Sequence, residues 1–273
     1  MLKLLIILAT VVLPAVADPA DPPPPGHLGD RIEAVRDATV VFRYATRPGV
    51  RGNGSTISLG EDGSGHLHTH GCWYEGIEDD LEPGPARVLV RMRRGLPHRL
   101  EARVGGCERR SEKWAVDLGR VPPGEAADWL LALAATTGDE DLARDAMLAA
   151  RLAAGVTVWP ALLDIARDGT RPADIREGAV FWLGQEAGEA ACAGLEAILD
   201  DEDEDLALRE AALFALSLRP EVECVPLLME VATGSPSPAL RRRALFWLGQ
   251  QDDPRVLDLF ESILAGNGPA PAR

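Results

Sequence analysis

The sequence predicts a protein that is α+β by domain: a small antiparallel β domain followed by an all-α solenoid of about four helix pairs. Short runs of alternating apolar and polar residues, separated by glycines, occupy residues 31–121. This period of two is typical of half-buried strands. Alanine- and leucine-rich segments that repeat every 32 or 33 residues occupy residues 122–266. Such a period is typical of stacked helix pairs.

The acidic balance of the chain limits what it can bind. The 273 residues include 43 Asp and Glu against 28 Lys and Arg, which gives a formal net charge of −15. Nucleic acids and anionic membrane surfaces require a basic footprint, so we expect neither as the main partner. The same imbalance favours a protein or peptide partner that carries a basic patch.

The first 17 residues have the pattern of a secretory signal peptide. Lys3 precedes an apolar run at 4–13, and Pro14 and small residues follow it. The run is too short for a permanent membrane span, which needs about 20 apolar residues. We therefore predict cleavage after Ala17 and an exported protein, periplasmic or secreted, that does not insert into the membrane after cleavage. Residues 18–30 are rich in proline, which predicts an extended linker.

The β domain is predicted from its alternating runs. Residues 39–44 and 87–92 alternate with period two, and 98–104 and 113–117 form two further candidate strands. A glycine-rich insert at 47–85 separates the first two strands. A connection of that length is typical of a functional or a poorly ordered segment.

The insert contains a cluster of potential metal ligands. His66, His68 and His70 alternate with other residues and are followed by Cys72. In an extended chain these four side chains share one face, and imidazole and thiolate are ligands that zinc and copper prefer. Two interpretations stay open, a physiological zinc or copper site and an exposed polar loop tip. Apart from this possible metal we predict no cofactor.

The four cysteines of an exported chain also raise the question of disulfides. A bridge between Cys72 and Cys107 would attach the insert to the sheet, and it would remove Cys72 as a metal ligand. Cys192 and Cys224 lie 32 residues apart, at the same place in consecutive repeats. Stacked helices lie about 8–10 Å apart and a disulfide needs Cα atoms within about 7 Å, so we expect these two to be buried thiols.

A five-residue block marks the helical repeat. Residues 181–185 and 246–250 both read Phe-Trp-Leu-Gly-Gln, and a related block lies at 214–218. An arginine precedes each block by five residues, and a second apolar segment follows each block. Two helices of this length cannot bury their apolar faces alone, so consecutive units stack into one core. The recurring signature residues are Arg176, Arg209, Arg241, Phe181, Phe214, Phe246, Trp182 and Trp247.

The signature residues have a ligand-binding and a structural interpretation, and we favour the structural one. The fixed place of the three arginines near a helix start favours pairing with acidic neighbours between units over a ligand-binding ladder. Tryptophan at helical spacing beside phenylalanine favours a core position over a stacking platform. The six acids at 200–205 predict a solvated turn between units, because their spacing matches no ordered calcium loop.

These elements give a complete domain organisation. The glycine and prolines after residue 265 predict a helix stop followed by a disordered tail. The predicted segments are the signal peptide 1–17, the linker 18–30, the β-rich domain 31–121 with its insert 47–85, the repeat array 122–266 and the tail 267–273.

The repeat blocks resemble HEAT repeats, in particular the short type found in phycobilin lyases and many bacterial proteins. The resemblance lies in 174–184, 207–215 and 240–256, each an arginine-bearing first helix with a similar end. The whole chain is also similar to exported bacterial HEAT-repeat proteins with a β-rich front half. The resemblance implies a curved scaffold that binds another protein on its concave face, and it implies no reaction.

The enzymatic relatives give little support for catalysis. Deoxyhypusine hydroxylase carries iron on His-Glu pairs within such repeats, and this chain has no histidine after His98. No catalytic residue of the phycobilin lyases can be assigned here, and no nucleophile or phosphate-loop motif is found. We predict a non-enzymatic scaffold of the cell envelope. The alternatives are a metal-binding extracytoplasmic protein using His66, His68 and His70 and, more weakly, a lyase-like enzyme.

Overall fold

The computed structural model describes residues 26–59, 66–68, 81–106, 114–186, 189–219 and 221–265. Within these ranges a β region precedes an array of stacked helices, so the predicted fold class is confirmed. The predicted signal peptide, most of the linker, His70, Cys72, Cys107 and the tail lie outside the described residues. Apart from the end of the linker, the domain boundaries stay predictions.

Eight strands form two four-stranded sheets in the part of the chain that the structure describes. The larger sheet has the order β7-β6-β1-β8, with antiparallel pairs except for the parallel pair β1–β8. The strands are β1 Thr39–Tyr44, β2 Arg51–Gly52, β3 Thr56–Ser58, β4 His66–His68, β5 Glu82–Pro83, β6 Ala86–Arg93, β7 Leu96–Val104 and β8 Val116–Arg120.

Alternation and turn chemistry build the larger sheet. Phe42 and Tyr44 of β1 and Val88 of β6 are fully buried, as expected for apolar residues that recur with period two on one face. A two-residue turn joins β6 to β7, and both of its residues, Arg94 and Gly95, have positive φ angles. Positive φ at both positions matches the right-handed twist of the flanking strands, so this turn fixes the register of the hairpin.

The predicted insert at 47–85 contains a second sheet, with the order β4-β3-β2-β5. Its strands have only two or three residues, too few to show a period in the sequence. This sheet lies against the end of β7. A Cβ atom on Gly52 would lie 2.4 Å from the carbonyl oxygen of Val104, so the close approach of the two backbones requires glycine at this position.

The predicted linker at 18–30 extends too far along the chain. Its last residues enter a short helix, α1, at Leu28–Glu33. Leu28 and Ile32 are fully buried and belong to the main core. These two apolar side chains, one turn apart, bury a helix face that proline-rich composition did not indicate.

Nine further helices follow the strands in the described ranges, in the order that the repeat predicts. The first, α2, packs against the β region and against the start of the array. The others form four pairs: unit 1 is α3 and α4, unit 2 is α5 and α6, unit 3 is α7 and α8, and unit 4 is α9 and α10. The helices are α2 Pro123–Thr136, α3 Glu140–Arg151, α4 Trp159–Arg167, α5 Ala173–Gly184, α6 Glu189–Asp200, α7 Leu206–Ser217, α8 Glu221–Gly234, α9 Pro238–Leu248 and α10 Pro254–Leu264.

The array has two layers of unequal spacing. The first helices of consecutive units, α3, α5, α7 and α9, pack on one another, and α5 lies along α7 especially closely. A Cβ atom on Gly184 would lie 2.6 Å from the Cβ of Ala215. In the other layer, a cavity of about 570 Å³ lies between α6 and α8. When the helices of one layer lie closer together than those of the other layer, the array curves toward the closely spaced layer. The first helices therefore form the concave face.

The β region and the array share one core. The Phe42 ring meets the Trp129 ring of α2 edge to face at a centroid distance of 6.0 Å. The Tyr44 hydroxyl donates a hydrogen bond of 2.5 Å to the carbonyl of Ala149 in α3. Because this core is continuous, the β region is fixed on the array and covers its first unit.

Candidate functional site

The concave face is covered in unit 1 and open in the later units. In α3, Ala149 is fully buried and Asp145 lies beside Arg99 and Glu101 of β7. Burial beneath the sheet raises the pKa of the Asp145 carboxyl to about 6. The residue that occupies the place of Ala149 in units 2, 3 and 4 is phenylalanine in each case. The β domain therefore ends where a row of aromatic side chains begins.

Three phenylalanines, Phe181, Phe214 and Phe246, form what we call the aromatic row. Phe181 and Phe214 are half-buried, and Phe246 is 54% exposed. Tryptophan rings pack against them. The ring centroids of Trp182 and Phe181 are 5.0 Å apart. The centroid of the Trp247 ring lies 4.9 Å from that of Phe214 and 4.8 Å from that of Phe246. Trp182 is buried, as its helical spacing predicts, whereas Trp247 is half-buried. The row thus offers rigid apolar surface that aromatic packing holds in place.

Charged residues run beside the aromatic row, with opposite signs at its two ends. The position that follows each signature arginine is Glu177 in unit 2, Glu210 in unit 3 and Arg242 in unit 4. Burial, together with the nearby carboxylate of Asp174, raises the pKa of Glu177. Glu210 accepts a hydrogen bond of 2.8 Å from Arg243. The end of the row nearest the β domain therefore carries acidic groups.

The signature arginines lie between units rather than on the concave face. Arg176 Nε donates to the carbonyl of Ala166 at 2.8 Å, and Arg209 Nε donates to the carbonyl of Leu199 at 2.9 Å. Arg241 likewise donates to the carbonyl of Ser235 at 2.6 Å. Arg176 and Arg209 thus satisfy carbonyls in the last turn of the preceding second helix, where helical carbonyls have no intrahelical donor, and Arg241 satisfies the carbonyl of the residue that follows α8.

The pairing of these arginines with acids differs between units. Arg176 binds Glu204 at 2.5 Å and Asp205 at 3.2 Å, so the last acids of the run at 200–205 connect unit 2 to unit 3. Arg209 and Arg241 donate to backbone carbonyls. The three arginines share hydrogen bonds to carbonyls at or next to helix ends. Among the described residues, Arg176 of unit 2 is the signature arginine that also forms ion pairs.

A buried ion-pair network at the junction of the two regions has no counterpart in the sequence predictions. The Glu186 carboxylate accepts two hydrogen bonds from Arg47, at 3.0 and 3.1 Å, and one from Arg151 at 2.9 Å. Arg151 also donates to the carbonyl of Gln185 and lies 5.7 Å from the centre of the Trp182 ring. The aligned repeats contain one indication of this network. Gln185-Glu186 in unit 2 corresponds to Gln250-Gln251 in unit 4, so unit 2 has a charged residue where unit 4 has a neutral one.

The structure describes only part of the proposed metal site. The backbone of His66–His68 forms strand β4, which pairs with β3 so that Ser58 lies opposite His66 and Thr56 opposite His68. His70 falls outside the described residues, as does the Cys72–Cys107 pair. In the part of the chain that the structure describes, no group of three potential ligands is placed to hold a metal ion. The zinc or copper site and the disulfide stay predictions.

The fold and the repeat define an α-solenoid with an attached β domain. Residues 193–273 match the family model for HEAT repeats, which supports the description of the chain as a HEAT-repeat protein. Repeats of this family commonly serve as scaffolds for protein interactions. A comparison with curated proteins gave no match. Among the helices that the structure describes, none has the length and apolar character needed to span a membrane.

Proposed function

We propose that this protein is a non-enzymatic scaffold of the cell envelope that holds a protein or peptide partner on the concave face of units 2 to 4. The observation that supports the proposal is the aromatic row. Phe181, Phe214 and Phe246 occupy successive units of one rigid surface, and Phe246 is more than half exposed. Aromatic side chains on a rigid surface are typical anchors of protein interfaces because they bury a large area at little entropic cost.

The contact between the β domain and unit 1 is the internal example on which we base the expected character of the partner surface. There α3 packs against β7, and both Arg99 and Glu101 of that strand lie beside Asp145. The corresponding acids of the open units are Glu177 and Glu210. A partner with apolar residues for the aromatic row and basic residues for these acids would repeat the same arrangement.

The expected compartment follows from the N-terminal sequence. The pattern of residues 1–17 supports export, and the cell envelope is where an exported scaffold would meet its partner.

The proposal is tested by cross-linking capture from the extracytoplasmic fraction, with residues 18–273 as bait. The whole mature chain is required because the β region and the array share one core. We expect Phe246→Ser to reduce recovery of the captured partner by about fivefold or more, as loss of an interface anchor does. Because Phe246 is largely exposed, its loss should change stability little.

The matched control is Leu257→Ser on α10. Leu257 is also an exposed apolar residue, with 66% exposure, and it does not belong to the aromatic row. Capture that falls for Phe246→Ser and persists for Leu257→Ser supports recognition by the concave face. Equal capture by wild type and Phe246→Ser, or no protein retained by wild type above a bait-free control, would exclude it.

A further inference from the structure

The cavity between α6 and α8 lies in the layer of second helices, away from the aromatic row. It has a volume of about 570 Å³ and lies between the second helices of units 2 and 3. This volume is typical of pockets that bind small molecules or short peptide segments. Four apolar side chains contribute to its wall: Leu199, Leu227, Val231 and Leu240.

A buried arginine lines this cavity with part of its hydrogen-bonding capacity unused. Arg209 is 9% exposed. Its Nε atom donates to the carbonyl of Leu199 at 2.9 Å, while its two Nη groups have no protein partner among the residues that the structure describes. A guanidinium has five N–H donors, and a buried cation without a counter-charge is unfavourable. The cavity therefore offers the remaining donors to a ligand.

The preceding unit shows which chemical group satisfies an arginine at this position. The equivalent residue, Arg176, is bound by the carboxylates of Glu204 and Asp205, which lie in the turn before α7. The equivalent positions before α9, five and four residues ahead of the signature arginine, are Pro236 and Ser237. Unit 3 thus keeps the arginine but lacks both carboxylates, and Pro236 lines the cavity instead.

The mouth of the cavity has the opposite charge. Four exposed carboxylates surround the opening, whereas the arginine is the one cation among the lining residues that the structure describes. A simple inorganic anion would be repelled by this rim, and a simple cation would find a positive charge at the floor. The arrangement matches a ligand with both charges. The rim carboxylates belong to Glu196, Asp200, Glu202 and Glu230.

We propose that this cavity binds the carboxylate of a basic amino acid, either free or as the C-terminal residue of a peptide. The ligand carboxylate pairs with the Nη groups of Arg209, in the place that Glu204 and Asp205 take on Arg176. The aliphatic part of the ligand packs against Leu227 and Val231, and its cationic group meets the acidic rim. Arginine and carboxylate form charge-assisted, bidentate hydrogen bonds, which gives such a site its selectivity for an acid over an amide.

The test is isothermal titration calorimetry on the mature protein with three probes. The probes are free L-arginine, the tripeptide Ala-Gly-Arg with a free carboxylate, and the same tripeptide as its C-terminal amide. We expect the acid form to bind about tenfold or more tightly than the amide. Tight binding of free arginine assigns the site to the amino acid, and tight binding of the tripeptide acid alone assigns it to a peptide terminus.

The decisive variant restores the missing carboxylates, so that a loss of binding cannot be attributed to unfolding. In Pro236→Glu/Ser237→Asp the turn before α9 acquires the acids of the turn before α7, and aspartate replaces serine as an equally good helix cap. We expect binding to weaken by about tenfold or more. We also expect Tm to rise by about 2–4 °C, because Arg209 gains an internal partner.

Two control variants separate this site from other effects. Leu257→Asp/Leu264→Glu adds the same charge at exposed positions of α10, and Phe246→Ser changes only the aromatic row. Both should bind the acid probe as wild type does. Equal affinity for acid and amide, undiminished binding by Pro236→Glu/Ser237→Asp, or no binding of any probe to the wild type would each overturn the proposal. Because Phe246→Ser removes an anchor of the aromatic row, normal probe binding by this variant would show that the cavity acts independently of the proposed scaffold function.

Discussion

The two ends of the concave face show the same repeat position in two opposite states. In unit 1, Ala149 is fully buried and accepts a hydrogen bond from Tyr44 of β1, and Asp145 lies partly buried beside β7. In unit 4, the corresponding residues Arg242 and Phe246 are exposed. The repeat determines that these positions face the concave side, and the β domain determines which of them are covered.

The covered and open units differ in the size of the side chain at the same repeat position. A small residue, Ala149, occupies the place where the sheet packs, and phenylalanine occupies the same place in the three units that remain open. A protein interior admits no extra volume without strain, whereas an open surface does. The covered end therefore has the features of a core, and the open end those of a binding surface.

The largest expected effect on stability comes from loss of the ion-pair network at the junction, which fixes the covered end of the array. In Glu186→Leu, the guanidinium groups of Arg47 and Arg151 remain partly buried without their counter-charge. Removing one partner of a buried ion pair typically costs about 3–5 kcal/mol. We expect a loss of this size in the free energy of unfolding, measured by urea titration at pH 7.

The matched control is Glu210→Gln at the open end. Glu210 pairs with Arg243 at 2.8 Å, but the Arg243 side chain is 48% exposed. Exposed pairs contribute about 0–1 kcal/mol, so this variant should unfold almost as the wild type does. Similar losses for the two variants would show that the junction network does not hold the β domain on the array.

An intermediate effect is expected when the covered end receives the side chain of the open end. In Ala149→Phe, a large ring must fit at a fully buried position beneath the β region. Overpacking a well-filled core costs about 1–3 kcal/mol. We expect that decrease in the free energy of unfolding, together with a loss of protection from hydrogen exchange in β7.

The control for Ala149→Phe is Ala207→Phe, the same substitution at an exposed position of α7. It should leave both the free energy of unfolding and the exchange of β7 within error of the wild type, as most surface substitutions do. A stable Ala149→Phe variant with normal protection would mean that the sheet does not pack tightly on unit 1.

Regular periods made most of the fold predictable from the sequence. The repeat located all four helix pairs, and period two located β1 and β6, because in both cases many residues report the same period. The small strands β2 to β5 were missed because two or three residues contain no period. Helix α1 was missed because burial of Leu28 depends on α2, which lies far along the chain.

The candidate sites were predictable only where the repeat varies. The aromatic row was visible as Phe181, Phe214 and Phe246, but their exposure depends on where the β domain ends. The Glu186 network joins residues that lie 35 and 139 positions apart in the chain, so no local pattern reveals it. The change from Glu204-Asp205 to Pro236-Ser237 is visible in aligned units, yet only the cavity gives it a meaning.

The smallest effect concerns the buried carboxyl of the covered end. Burial raises the pKa of Asp145 to about 6, whereas an unfolded aspartate has a pKa of about 3.9. Between these values the folded protein binds more protons than the unfolded chain, so this group makes stability fall as the pH rises from about 4 to about 6. Asp145→Asn removes that penalty, and we expect a gain of about 1–2 kcal/mol in the free energy of unfolding at pH 7.

The sign of this effect distinguishes Asp145 from Asp253, a helix-capping acid whose pKa is shifted in the opposite direction. Below about pH 3, Asp145 is protonated in both the folded and the unfolded state, so Asp145→Asn and wild type should have the same stability. Asp253 caps α10, and its hydrogen bonds with Arg255 lower its pKa. Its contribution is present above pH 4 and is lost as the pH falls through the lowered pKa. Asp253→Asn should therefore reduce stability at pH 7, and a gain there, or an unchanged Asp145→Asn, would contradict the proposed contrast between the covered end and the exposed surface.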